Sequence, residues 1–273
     1  MLALNFHKTF IPERTYIAAM LDFAALGKQG TIKEIAAETG IPMGKSSGKT
    51  APILSYAIGM GLIELNQSEN NSLKRPVLTP FGQLVYEEDK FLSEEIIQWL
   101  AHFNLCRNDI GAKTWHRVFA QGRNILGTSF NKVQLEDFLR LSFGAGKDRT
   151  GPLVITYTDD AAFARAGVLS EQGVNLERKK APLFDYYALS YSSYLLNLWE
   201  DFFPKQHQVT LTDFACNTFF FDVCFWSQSD MENFLSLLEW KGYITVDRQM
   251  VPWIMEKRAV AAEVWPHIFD DMA

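Results

Sequence analysis

Apolar and polar positions along this chain alternate mostly with the period of a helix. In Glu13–Gly27, ERTYIAAMLDFAALG, the residues Tyr16, Ile17, Met20, Leu21 and Ala24 recur at three- and four-residue spacing. That predicts an amphipathic helix opened by Pro12 and closed by Gly27. Thr31–Gly40, TIKEIAAETG, begins with a Thr-x-x-Glu capping box and carries Ile32, Ile35 and Ala36 as a buried stripe. A glycine-punctuated turn follows, GKSSGK, and then an apolar helix. Pro52 lacks an N–H and fits only a first turn, so that helix starts near Lys49–Thr50 with Thr50 as its N-cap. Gly61 leads into a strand, Leu62–Leu65, and Gln67–Lys74 is polar and turn-rich. A second strand and the helix start Thr79-Pro80 come next. Helix, turn, helix, strand, polar loop, strand is the order of a winged helix-turn-helix.

Beyond Pro80 the pattern stays helical and aromatic. Ser93 is expected to cap a helix over Glu94–Leu105, with Ile96, Trp99, Leu100 and Phe103 in the core. Trp115, Val118 and Phe119 continue a helical segment, and Lys132–Leu141 reads as another. His102 and His116 have no carboxylate at paired spacing, so they read as packing residues on aromatic helices. Leu153–Tyr157, rich in β-branched residues, reads as a short strand, Leu169–Lys180 as a hairpin or loop, and Pro182–Phe203 as a long aromatic helix. A repeat then emerges. TLTDFA from Thr210 echoes TIKEIA from Thr31, and Gly242-Tyr-Ile-Thr-Val echoes Gly61-Leu-Ile-Glu-Leu, at separations of 32 and 30 positions. A second winged-helix-like unit is expected near residues 207–255, with an aromatic turn, CNTFFFDVCFW, that carries no cation. The expected fold class is mainly α with small β-wings. Its domains are a winged helix-turn-helix over 1–88, a helical middle region over 89–205, and the second winged-helix-like unit over 206–273.

Composition narrows the function. The chain has 273 residues, 48% hydrophobic and 21% charged, with 21 Phe, 7 Trp and 9 Tyr, an ordinary globular balance with ample core. A net charge of −6 excludes a wholly basic nucleic-acid coat, so any DNA contact must be a local patch. Three cysteines without a close pair suit a reducing cytoplasm, and no spacing suits a metal site. The first residues, MLALNFHKTFIPER, meet charge and proline too early for a signal peptide, and no apolar run is long enough to span a membrane.

The turn at Gly44–Thr50 is the candidate chemistry. It is not a phosphate-binding P-loop. Gly44 and Gly48 enclose three residues where that motif needs four, and a helix precedes it where the motif needs a strand. What remains is a cationic helix start, with Lys45, Ser46, Ser47, Lys49 and Thr50 offered to an anion, and Lys74 and Arg75 on the wing. From Lys28 to Arg75 there are six Lys and Arg against four Glu. His7, Lys8 and Arg14 read as surface residues around Phe6 and Phe10.

FHKTFIPER, the turn GKSSGKTAPILSYAIGMGLIE, LTPFGQLVYEEDKFLSEEIIQWLAHFNL and KTWHRVF, in that order, resemble a bacterial family labelled domain of unknown function 4007. The resemblance covers roughly residues 5–120. Typical members carry Gly-Val-Gly-Lys-Asn-Met-Val at the turn; Gly44-Lys45-Ser46-Ser47 and Gly48-Lys49-Thr50 are both alignments to it. The resemblance implies association with DNA phosphorothioation genes and other anti-phage defence loci. The expected function is therefore a non-enzymatic DNA-binding accessory or regulatory protein of such a system. It would need no cofactor, and its partners would be double-stranded DNA and other defence proteins. The alternative is a protein-interaction adaptor of a defence complex.

Overall fold

The computed structural model describes residues 1–44, 48–66, 72–146 and 150–272. It is mainly helical with small antiparallel sheets, and it divides into two compact units, Met1–Lys179 and Lys180–Ala273.

The first unit is built on α1 (Arg14–Ala25). Of its predicted stripe, Ile17, Met20, Leu21 and Ala24 are buried and Tyr16 is half-buried, while Phe23, off the predicted stripe, is buried as well. Packed on α1 are α2 (Ile32–Thr39), α3 (Thr50–Gly59), the hairpin strand β2 (Arg75–Leu78) and α4 (Pro80–Glu88). The Thr31 capping box forms as expected: its hydroxyl accepts from the Glu34 N–H at 3.3 Å and the Glu34 carboxylate accepts from the Thr31 N–H at 2.7 Å. Strand β1 (Ile63–Asn66) pairs antiparallel with β2, Ile63 opposite Leu78 and Asn66 opposite Arg75. Gly30 exchanges backbone hydrogen bonds with Lys74, at 3.0 and 2.8 Å, which extends the hairpin by a bridge just before α2. Of the polar loop read as a wing tip, residues 67–71 lie outside the described residues.

The corner between α3 and β1 is closed by Gly61 at φ +68°, a left-handed conformation that costs a residue with a Cβ. Thr79 caps α4, donating to the Gly61 carbonyl at 2.6 Å and accepting from the Gly82 N–H at 2.9 Å. This draws α4 so close that a Cβ on Gly82 would lie 1.7 Å from the Leu62 carbonyl oxygen.

Helix α5 (Glu95–Leu105) is not capped by Ser93 as expected. The Asp89 carboxylate accepts from the Ser93 and Glu94 N–H groups instead, each at 2.8 Å, a longer side-chain reach from four and five residues back. After α6 (Lys113–Trp115) the helix widens into a π-helical turn, His116–Gln121, followed by α7 (Arg123–Leu126), β3 (Ser129–Asn131) and α8 (Lys132–Phe143). The expected strand near Leu153 is helical: α9 spans Thr150–Thr158. Its β-branched hydroxyls are accommodated because Thr156 and Thr158 donate to the carbonyls four residues back, at 2.7 and 3.3 Å. Where the sequence reads as a hairpin or loop, strands β4 (Leu169–Gln172) and β5 (Asn175–Arg178) form a hairpin, and β3 adds to the β5 edge.

Helices α5, α6 and α9 meet in a buried polar junction. Tyr157 accepts from Trp115 Nε1 at 3.0 Å, and its hydroxyl lies 2.5 Å from His102 Nδ1. Burial first, and then the Arg178 charge, hold His102 well below its ordinary pKa. His102 is fully buried and His116 nearly so, as their reading as packing residues implies. His7 departs from its expected surface position and is wholly buried between Phe6 and Trp115.

The second unit centres on α10 (Ala188–Phe202), which packs α11 (Leu211–Thr218), α13 (Gln228–Trp240) and α14 (Ala261–Val264). A short α12 (Phe220–Cys224) lies between α11 and α13. Strands β6 (Gln208–Thr210), β7 (Ile244–Asp247) and β8 (Ile254–Lys257) form one sheet in the order β6-β8-β7. The repeat read from the sequence has a structural counterpart. Gly242, at φ +82°, donates to Glu239 at 2.9 Å just as Gly61 donates to Ile58 at 2.9 Å. Thr210 also caps its helix as Thr31 does, accepting from the Asp213 N–H at 3.0 Å.

Replacing Gly82 with Ala should cost about 3 kcal/mol, because backbone on both sides of the contact must move. A chemical denaturation midpoint unchanged in Gly82→Ala would show that α4 does not seat on Leu62 as described.

Candidate nucleic-acid interface

The α2–α3 turn is short because its two ends are tied together. Ile41 is buried, and the Lys49 N–H donates to the Pro42 carbonyl at 3.0 Å. Gly48 has no room for a side chain: a Cβ would lie 2.5 Å from Met43 Sδ and 3.2 Å from the Pro42 oxygen. Lys45, Ser46 and Ser47, at the centre of the expected anion seat, lie outside the described residues.

Two members of that seat stand differently from the expectation. Thr50 is the first residue of α3 and Lys49 takes the cap position. Thr50 is fully buried, with its hydroxyl 3.5 Å from the Ile41 carbonyl, so it is not offered to solvent. Lys49 is not a free cation. Its ammonium pairs with Glu13, and it lies 5.1 and 5.8 Å from the Tyr16 and Phe10 ring centres. The chain ahead of α1 brings the Glu13 carboxylate and the Phe10 ring to Lys49, and the first turn of α1 adds the Tyr16 ring. Local spacing holds no sign of that approach, since Glu13 is 36 residues away.

The wing cations sit at the base of the hairpin. Lys74 is half-buried, with its backbone bridged to Gly30, and Arg75 is exposed at the start of β2. The same bridge brings them beside the start of α2, where Lys33 is exposed on the first turn. Lys33 also lines a shallow hollow of about 400 Å³ with Ala36, Gly40, Met43 and Gly44. Lys28 is neutralised by Glu38 at 2.5 Å. Lys33 and Arg75 make no ion pair among the described residues.

The fold is similar to that of SspB. A magnesium ion-bound SspB crystal structure matches with a TM-score of 0.67 and 13% identity, covering 100% of this chain and 88% of that one. A second SspB crystal structure matches at 0.64 and 14%, with the same coverage. Identities this low carry the fold alone. No family model and no curated protein matches the chain, so the likeness to the domain-of-unknown-function family rests on the residues quoted above. Among the described residues no three of His, Cys, Asp and Glu converge as a metal ion would require, and no helix is long and apolar enough to cross a membrane.

Charge is divided unevenly between the two units, a feature that the whole-chain total conceals. Residues 1–179 carry 20 Lys and Arg against 19 Asp and Glu; residues 180–273 carry 6 against 13. The acidic character therefore resides in the second unit, and a polyanion would be repelled far less by the first.

The Lys49–Glu13 pair is about three-quarters buried, so Lys49→Ala should lower stability by on the order of 1 kcal/mol and Glu13→Gln similarly, with the double variant losing less than their sum. Additive losses in denaturation would show that the two side chains do not interact.

Proposed function

We propose that the protein is a DNA-binding accessory or regulatory component of a bacterial anti-phage defence system of the DNA phosphorothioation type. Its first unit would act as a winged helix-turn-helix. The observation that supports this most is the order α1-α2-α3-β1-β2 with the Gly30–Lys74 bridge, which gathers Lys33, Lys74 and Arg75 about the start of α2. Lys45, Ser46 and Ser47, outside the described residues, stay in the proposal on their sequence alone; Lys49 and Thr50 leave it. Such cations contact phosphates, which position a protein on a duplex and carry no base information. The defence setting follows from the family resemblance, and the SspB fold is compatible with it. Catalysis is not part of this reading.

A short labelled duplex titrated at several salt concentrations tests it. Lys74→Gln with Arg75→Gln should weaken binding and reduce the slope of log K against log salt by about one for each phosphate no longer neutralised. Unchanged affinity and slope in the double variant would exclude this face.

A second reading, an adaptor, is supported by the second unit. Trp240 is 78% exposed at the end of α13 and, with Tyr186, Leu237 and Asp185, lines an open groove of about 570 Å³. An acidic surface with exposed aromatic rings suits a basic, apolar segment of a partner. A leucine–lysine peptide should bind the native chain and lose about tenfold affinity in Trp240→Ala. Equal binding of a leucine–glutamate peptide would remove the reading.

A further inference from the structure

The segment KTWHRVF, which carries part of the family resemblance, has no role in the α2–α3 turn. In the structure it becomes α6 and the π-helical turn, and its polar side chains converge elsewhere. Lys113, His116, Arg117 and Gln121 line an open hollow of about 400 Å³, closed on the far side by Ser142 and Phe143 from the end of α8. No carboxylate is among its described lining residues.

Arg117 is held in place without being neutralised. Its Nε donates to Ser142 Oγ at 2.7 Å, and Nη1 donates to Gln121 Oε1 at 3.0 Å. The guanidinium lies 4.7 Å from the Phe138 ring centre. Among the described residues no acid pairs with it, nor with the exposed Lys113 one turn earlier. A guanidinium oriented by neutral acceptors and a ring keeps its full charge, and with Nε and one Nη1 N–H so engaged it still has Nη2 and the second Nη1 N–H to offer as a pair, the arrangement that suits phosphate. The surrounding sequence agrees: residues 113–149 hold seven Lys and Arg against three Asp and Glu. The Arg117 charge also reaches its neighbour. Burial depresses the pKa of His116, the Cys106 carbonyl opposes that, and the guanidinium lowers it further.

We propose that this hollow is a phosphate-binding site, with Arg117 as a bidentate donor and Lys113 as a second cation. The phosphate is that of a nucleic-acid backbone or of a free nucleotide; both present the same oxygens to the same donors. The site is separate from the α2–α3 turn and stands whether or not that turn meets DNA.

The test uses the full chain with three probes at low salt: inorganic phosphate and adenosine monophosphate by calorimetry, and a short labelled duplex by anisotropy. Lys113→Gln and Arg117→Gln should each weaken binding about tenfold. Arg117→Lys should weaken it nearly as much, because an ammonium cannot supply the fork. If the small phosphates lose affinity and the duplex does not, the ligand is a free nucleotide; if the duplex loses affinity with them, it is a backbone. Either outcome supports the site. Arg117 packs on Phe138, so thermal melting must accompany its variants; Lys113 is exposed, and its variant tests the site without that complication. Binding of all three probes unchanged in folded Lys113→Gln and Arg117→Gln, or no binding by the native chain, overturns the proposal. Loss of duplex binding in the Lys74–Arg75 double variant bears on the α2 face alone, so failure of that face and failure of this hollow are distinguishable.

Discussion

Burial of helix α1 is the constraint on which the first unit depends. Ile17, Met20 and Leu21 are fully buried, and each such side chain is worth about 2 kcal/mol when removed from water. α2, α3, α4 and β2 all use that one surface. Its starting end is fixed just as firmly. The Arg14 guanidinium donates to the Phe91 and Asp160 carbonyls at 3.2 and 2.8 Å, and Glu13 holds Lys49. The α2–α3 turn is thus not a free loop that happens to carry lysines. One of its cations, Lys49, serves to hold the helix start against α1.

The second unit repeats the plan around α10 with different chemistry on the outside. The same helix cap, the same left-handed glycine and the same antiparallel hairpin recur. Where the first unit has a glycine–lysine turn, the second has buried Phe220, Phe221 and Trp226. Backbone geometry is shared and surface charge is not. That is why a repeat in pattern does not predict a repeat in partner.

Much of this was legible from the sequence because it was local. Capping boxes, the Thr79-Pro80 helix start, the positive-φ glycines and the hydrophobic period of α1 all act within a few residues. The features that were not legible depend on contacts from afar. Leu153–Tyr157 has strand composition, but tertiary burial and back-bonded threonine hydroxyls make it helix. Ser93 resembles a cap until Asp89 reaches over it. His7 reads as surface until Phe6 and Trp115 close around it. Lys49 reads as free because nothing near it in sequence is acidic. Of the candidate site, the exposed Arg75 and the hairpin that carries it were readable; the neutralisation of Lys49 and the burial of Thr50 were not. Arg117 gave no local signal, since its partners Ser142 and Phe138 lie more than twenty residues on.

The widened turn at His116–Gln121 also bears on how this stretch can change in length. A π turn accommodates one residue more than an α turn. Removing one residue from a regular helical turn rotates everything beyond it by about 100°. Removing one from the widened turn lets it relax to α geometry while the helix on either side keeps its register. A change of one residue is therefore absorbed where the hollow is lined, and α7 keeps its direction.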